Sequence, residues 1–211
     1  MSPAAAKAAR MPGSIYSLHP AFKMEENAIR NLEARTGRTL EEWIALIKRT
    51  GPSTEKERRT WLQSAHALGR GYAWWLAAAV DAKGWSSAAN YNPEAHVEAL
   101  FAGSKAALRP LYETLLKLGF ALGKDVMACP CKTFVPLYRE HVFAQIKPTT
   151  RTRIDFGLAL ADTPFTARLL DTGGRARKDR ITHRIAIETA DDIDAEVTRW
   201  LKKAYQLDAP A

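Results

Sequence analysis

The sequence is poor in cysteine, and its two, Cys129 and Cys131, stand one residue apart. That separation is too short for a comfortable fold-stapling disulfide, and the pattern is unlike a secreted disulfide framework. The compartment reads as reducing cytosol. Long apolar runs are also missing: the most apolar stretch, Tyr72 to Val80, falls far below the roughly 20 residues that cross a bilayer. Met1 to Arg10 is alanine-rich with Lys7 and Arg10 but has no apolar segment of the secretory kind, so a disordered tail is expected there. No GxxxxGK[ST], GxGxxG or GxSxG run is present, and Gly103-Ser104-Lys105 falls in a helical pattern without a glycine loop. The histidines His19, His66, His96, His141 and His183 show no ligand spacing, and one cysteine pair is half of what a zinc site takes. No metal, cofactor or catalytic residue is expected.

What is abundant is positive charge. The 211 residues carry a formal net charge of +8 with a pI near 9.6, which favours polyanionic partners. With 46% hydrophobic and 26% charged residues the composition is that of a folded globular chain. The positive excess is spread along it, with one concentration: Arg175, Arg177, Lys178, Arg180 and Arg184 follow Gly173-Gly174, with Asp179 the single acid among them. A basic loop is expected there.

After a leader at 1–22, disordered or loosely packed, Glu25 to Arg35 has a helical apolar period with Gly37 as its stop. Thr39-Leu-Glu-Glu42 and Thr54-Glu-Lys-Glu57 have capping-box spacing, in which a hydroxyl and a carboxylate satisfy each other's free backbone donors. They open helices two and three. Tyr72 to Lys83 makes a fourth, and the helical domain spans 23–85. On that helix Trp74 and Trp75 point about 100° apart, so at least one is expected to be accessible, for packing on the rest of the chain or on a partner. A polar linker at 86–93 precedes an α+β domain at 94–207. This domain starts with a long amphipathic helix interrupted at Pro110. Strand candidates follow at 126–129, 133–139, 142–147, 151–160 and 181–188. In the fourth, Ile154, Phe156, Leu158 and Leu160 alternate with Arg153, Asp155 and Gly157, which predicts a sheet with one dry face and one wet face. Pro136 lacks a ladder donor, so the second strand is expected at an edge or beside a bulge. Ile193, Val197, Trp200, Leu201 and Ala204 line one face of a C-terminal helix. The expected fold class is α+β: a small four-helix N-terminal unit, then a helix, a mainly antiparallel sheet and a C-terminal helix.

Thr36-Gly-Arg-Thr-Leu-Glu-Glu-Trp-Ile44, Trp61-Leu62 and His66-Ala-Leu-Gly-Arg-Gly-Tyr-Ala73 resemble a bacterial helical family, domain of unknown function 4287. Leu100-Phe101, Leu122-Gly-Lys-Asp-Val126, Lys132-Thr-Phe134, Phe143-Ala144, Lys147-Pro148, Thr182-His-Arg184 and Trp200-Leu-Lys-Lys-Ala-Tyr205 are similar to domain of unknown function 5655. The resemblance runs from about Lys23 to Leu207; it implies architecture and carries no catalytic or ligand residue across.

The residues themselves nominate two sites. His183 falls in phase with Ile181, Ile185 and Ile187 and is expected as a hydrogen-bonded core histidine, the alternative being a pocket shared with Tyr138, Arg139 and His141. Lys147, Arg151, Arg153, Arg175, Arg177, Lys178 and Arg180 are candidate anion or nucleic-acid contacts. Asp155 and Glu188 do not make a metal-dependent nuclease, because Thr189-Ala190 follows where a lysine two residues on is required; charge pairs of Asp155 with Arg153 and of Glu188 with Arg184 are the simpler expectation. Tyr72-Ala-Trp-Trp is too apolar to read base edges as a recognition helix. The expectation is a cytoplasmic, non-enzymatic binding or adaptor protein engaging an anionic ligand or protein, with no membrane association. A non-specific nucleic-acid binder using the basic loop, and a small-molecule binder or enzyme with a pocket near His183, remain the alternatives.

Overall fold

The computed structural model describes residues 13–81 and 91–209. The chain divides into two compact units, one formed by His19–Tyr91 and the other by the described parts of Met1–Leu18 and Asn92–Ala211. Most of the linker expected at 86–93 lies outside the described residues.

The first unit is helical: α1 (Pro20–Thr36), α2 (Leu40–Thr50), α3 (Glu55–His66) and α4 (Arg70–Ala79). Both threonines cap their helices, the first through a full capping box and the second through its hydroxyl alone. The Thr39 hydroxyl accepts from the Glu42 amide while the Glu42 carboxylate accepts from the Thr39 amide, and the Thr54 hydroxyl accepts from the Glu57 amide. Leu32, Trp43, Ile47, Leu62, Leu68, Ala73, Leu76 and Ala77 form the core. Composition gave no hint of one further brace. Arg58, only 7% exposed, donates to the carbonyls of Pro52, Ser53 and Ala77 and pairs with Asp81 at 2.9 Å, tying the start of α3 to the end of α4. Trp74 is exposed beneath the Arg59 guanidinium, whereas Trp75 is half-buried edge-on to Tyr72.

The second unit is α+β. It opens with α5 (Pro93–Leu100), capped by Asn92, passes through a 3-10 turn at Gly103–Leu108 and continues as α6 (Arg109–Ala121) with Pro110 in its first turn. Proline is tolerated there because first-turn amides have no intrahelical partner, so the long helical pattern is split rather than kinked. The sheet is antiparallel, with strands β1 (Met127–Ala128), β2 (Val135–Tyr138), β3 (Val142–Pro148), β4 (Ile154–Leu158), β5 (Leu170–Asp171) and β6 (His183–Ile187) in the order β1-β2-β3-β4-β6-β5. A short helix α7 (Gly174–Arg177) lies between β5 and β6, and α8 (Ala195–Leu207) closes the unit.

Register explains the two faces. Ile146, Phe156 and Ile185 are cross-strand partners, as are Ala144, Leu158 and His183, and these rows are buried. They share a core with Leu111, Tyr112 and Leu115 of α6 and Val197, Leu201 and Ala204 of α8. Gln145, Gly157 and Arg184 form the row between them on the opposite face. Pro136 sits on β2 between two strands, and the register shifts at Leu137/Tyr138, so the bulge, not an edge, accommodates the strand that contains it. The shift leaves both Phe143 and Ala144 buried, with the Phe143 ring 5.7 Å from that of Tyr205 on α8.

The described end of the leader corrects the expectation of a loose segment. Tyr16 is 5% exposed, its hydroxyl lies 2.9 Å from that of Tyr112, and the Ser17 amide donates to the Ala128 carbonyl. One aromatic ring with a buried polar partner anchors a stretch too short to show any apolar period.

Candidate functional site

The arginine-rich segment is a tightly built turn. Thr172 organises it: its hydroxyl donates to the Ile181 carbonyl at 2.7 Å and accepts from the Gly174 amide at 3.0 Å. Gly173 has φ +71°, and a Cβ on Gly174 would stand 2.3 Å from the Ile181 carbonyl oxygen, so both positions require glycine. The backbone closes on itself through Asp179 amide to Gly174 carbonyl.

Its cations have separate duties. Arg175 donates to the carbonyls of Ala161 and Thr163 and stacks over Phe165 at 4.5 Å, clamping the preceding loop. Arg177 donates to the Thr172 carbonyl and to Asp179; Arg180 donates to Asp208 at 2.7 Å. Between this turn and the open face of the sheet lies a pocket of about 260 Å³ lined by Val142, Gln145, Thr172, Arg177, Asp179, Arg180 and Ile181. Gly157 forms part of its support: a Cβ there would come within 2.7 Å of both Gln145 Cγ and Ile181 Cγ2, which meet above it.

Asp208 fixes the other side of Arg180. Its side chain is 3% exposed and accepts from the amides of Glu140 and His141, from Arg180, and from His141 Nδ1 at 3.1 Å. Asp208 therefore bonds α8 to the β2–β3 turn and holds one of the pocket's two guanidiniums. No apolar period or motif marks it in the sequence. The available signal was its place just past a helix C-terminus, where the helix dipole disfavours a carboxylate and a compensating partner has to exist.

The residues expected around a histidine pocket are dispersed. Arg139 donates to Asp125 at 2.8 Å and to the Tyr205 carbonyl, and lies 4.1 Å over the Tyr205 ring, whose hydroxyl also donates to Asp125. That guanidinium holds the Asp125 carboxyl below the usual carboxylate range. Tyr138 is pushed up to about 12 by burial. His183 is fully buried; its Nε2 donates to the Thr163 carbonyl at 2.9 Å, which leaves Nδ1 to accept from the Thr182 hydroxyl at 2.7 Å. Burial lowers its pKa, so the ring is neutral near pH 7. It is the core histidine the register called for, with both nitrogens engaged and no surface open to solvent. Three strand spacings, about 14 Å, separate its strand from that of Tyr138.

Asp155 takes Arg153 as expected, but Arg184, expected on Glu188, pairs with Asp155 across the strands instead; the Arg153 pair lacks hydrogen-bond alignment at Nε. Lys147, Arg151 and Lys178 are exposed and have no recorded side-chain ion pair among the described residues. Cys129 is buried with its thiol pushed up to about 12 by desolvation, the opposite of what a reactive thiolate needs. Among the described residues no group of three or more His, Cys, Asp or Glu side chains is placed to hold a metal ion, and no helix is long and apolar enough to cross a membrane.

Two family models match this architecture. The Domain of unknown function (DUF5655) covers residues 97–208, more than half of the chain and all of the pocket. The chain belongs to the DUF5655 family. Residues 25–82 match a second model, the Domain of unknown function (DUF4287), which coincides with the helical unit. No curated protein and no solved structure gives a significant match.

Proposed function

We propose that the chain is a binding protein whose DUF5655 unit takes a small anion, a phosphate- or carboxylate-bearing ligand, in the pocket beneath the 172–181 turn. The observation that supports this best is the convergence of Arg177 and Arg180 on one pocket from a rigid, glycine-closed turn. Arg177 is anchored on a main-chain carbonyl and Arg180 on the buried Asp208, so little side-chain entropy remains to be lost on binding. The acid facing Arg177 is half exposed, Asp179 at 53%, and exposed ion pairs of this kind are worth about 0–1 kcal/mol. An incoming anion displaces it at small cost. The lining offers no activated nucleophile: the Thr172 hydroxyl is committed to Ile181 and Gly174, and no thiol or imidazole is present. Capture without chemistry is the role these residues suit, in the reducing cytoplasm that the free Cys129 and Cys131 point to.

Titration of the full chain with inorganic phosphate, followed calorimetrically, tests the reading. We expect saturable binding that weakens roughly tenfold in Arg177→Gln, the loss of one charge-assisted bidentate contact. Absence of binding at millimolar phosphate, or binding indifferent to that substitution, refutes it. Salt-sensitive capture of single-stranded DNA that ignores Arg177→Gln but falls in Lys147→Gln and Arg151→Gln would move the function to the nucleic-acid alternative.

A further inference from the structure

The helical unit carries a separate, open groove of about 440 Å³ between α1 and the start of α4, within the about 300–1,000 Å³ typical of ligand sites. On one side Asn27, Asn31 and Arg35 repeat at i, i+4 and i+8, which puts them in a stripe about 12 Å long on α1. On the other side are Arg70, Tyr72 and Trp75, with Gly69 and Gly71 between the walls. Among the described residues no acid lines the groove, and neither Arg35 nor Arg70 pairs with an acid.

The two glycines are the informative feature. Gly69 has φ −61°, Gly71 is helical, and neither is among the positive-φ positions, so the backbone does not require glycine at either. Packing does not require it either, because a Cβ at Gly69 or Gly71 would meet nothing within 4 Å. Gly69 is the N-cap of α4, a position that itself favours glycine, but Gly71 lies within the helix, where glycine is costly relative to alanine, and there the cost purchases only empty space. A side chain at either position would stand in that space and narrow the groove.

We infer that the groove is a binding site for an adenine nucleotide of nucleoside monophosphate size. The chemistry is complementary end to end. Tyr72 and Trp75 give aromatic surface for a base. Asn31 Nδ2 donates to the Asn27 carbonyl at 2.7 Å, leaving the Asn31 oxygen and the Asn27 amide for a base edge that presents both a donor and an acceptor, as adenine does. Arg35 and Arg70 supply the cations for a phosphate group, and the length of the α1 stripe spans base to phosphate. This site is independent of the anion pocket of the DUF5655 unit.

The test titrates AMP, adenosine and inorganic phosphate into the full chain carrying Arg177→Gln, which removes the contribution of the other pocket, with tryptophan fluorescence and calorimetry as readouts. AMP is expected to bind more tightly than adenosine or phosphate, with roughly tenfold losses in Arg35→Gln and Arg70→Gln that adenosine binding does not show. Gly71→Ala supplies the deciding variant: its melting temperature should stay level or rise while AMP affinity falls. Failure of AMP to bind, equal affinity for AMP and adenosine, or undiminished AMP binding in a folded Gly71→Ala chain overturns the inference. Should Gly71→Ala lower the melting temperature, Gly69→Ser, which adds a side chain while keeping a good N-cap residue, provides the same comparison at the neighbouring position, and undiminished binding in both overturns it.

Discussion

Truncating Asp208 should unlock the C-terminal unit at one point, and the size of the effect can be worked from its partners. In Asp208→Ala the amides of Glu140 and His141 lose the carboxylate that now accepts them at 3.1 and 2.8 Å. An orphaned, partly buried amide costs about 1–3 kcal/mol. Arg180 is about half exposed, so its pair with Asp208 is discounted to at most about 1 kcal/mol. Glu140 is half-buried and His141 exposed, so water reaches both amides and each is taken at the low end, about 1–1.5 kcal/mol; with the pair the expected loss is about 2–4 kcal/mol, against about 3–5 kcal/mol when both charges of a broken pair are buried. Asp208→Asn keeps an acceptor oxygen for the two amides but puts an NH2 group where Oδ1 accepts from Arg180 and His141 Nδ1, so it gives up those contacts with the charge and about half of that loss is expected, on the order of 1–2 kcal/mol. Urea unfolding at constant m-value gives the free energies. Hydrogen exchange at Glu140 and His141 locates them, since these two amides should lose protection first. A folded Asp208→Ala chain within about 0.5 kcal/mol of the parent, with both amides still protected, would refute the assignment of Asp208 as the latch. The same variant frees Arg180 and should weaken phosphate binding, which ties the latch to the pocket.

Arg58→Leu should destabilise the helical unit by about 3 kcal/mol, because it strips three main-chain carbonyls and Asp81 of a nearly buried donor; helical circular dichroism against urea measures it, and a change under about 0.5 kcal/mol contradicts the brace. His183 titrates against stability in acid. Its folded pKa lies below the unfolded value of 6.5, so below pH 6.5 the unfolded chain takes up a proton that the folded chain refuses, and stability is lost as pH falls from there through the lowered folded value. His183→Gln should remove that slope between neutral and mildly acid pH whatever it does to stability at pH 7; an unchanged pH profile rules out the buried neutral ring as its source.

Elements with a period were legible in the sequence, and contacts that cross the fold were not. The alternation through Ile154, Phe156 and Leu158 predicted both sheet faces, and the phase of Ile185 and Ile187 put His183 in the core before any partner was known. Thr39 and Thr54 announced their helices because a capping box is a local bargain between residues three apart. β5, at two residues, carries no period, and Tyr16 is one ring in a short segment; both are held by partners distant in sequence. The basic stretch shows the limit most clearly. As a string, Arg175 to Arg180 is five charged residues around one alanine, and nothing local says which of them are free. The fold sorts them by what each can reach: Arg175 finds carbonyls and the Phe165 ring, Arg177 and Arg180 line the pocket, and Lys178, at φ +59°, is left to solvent. Charge density alone does not separate the arginines that line the pocket from those bonded elsewhere, while the residues that shape the turn, Gly174, Thr172 and Asp208, carry no net positive charge. In a basic chain such as this one, the search for an anion site gains more from the glycines and acids that hold arginines in place than from counting the arginines.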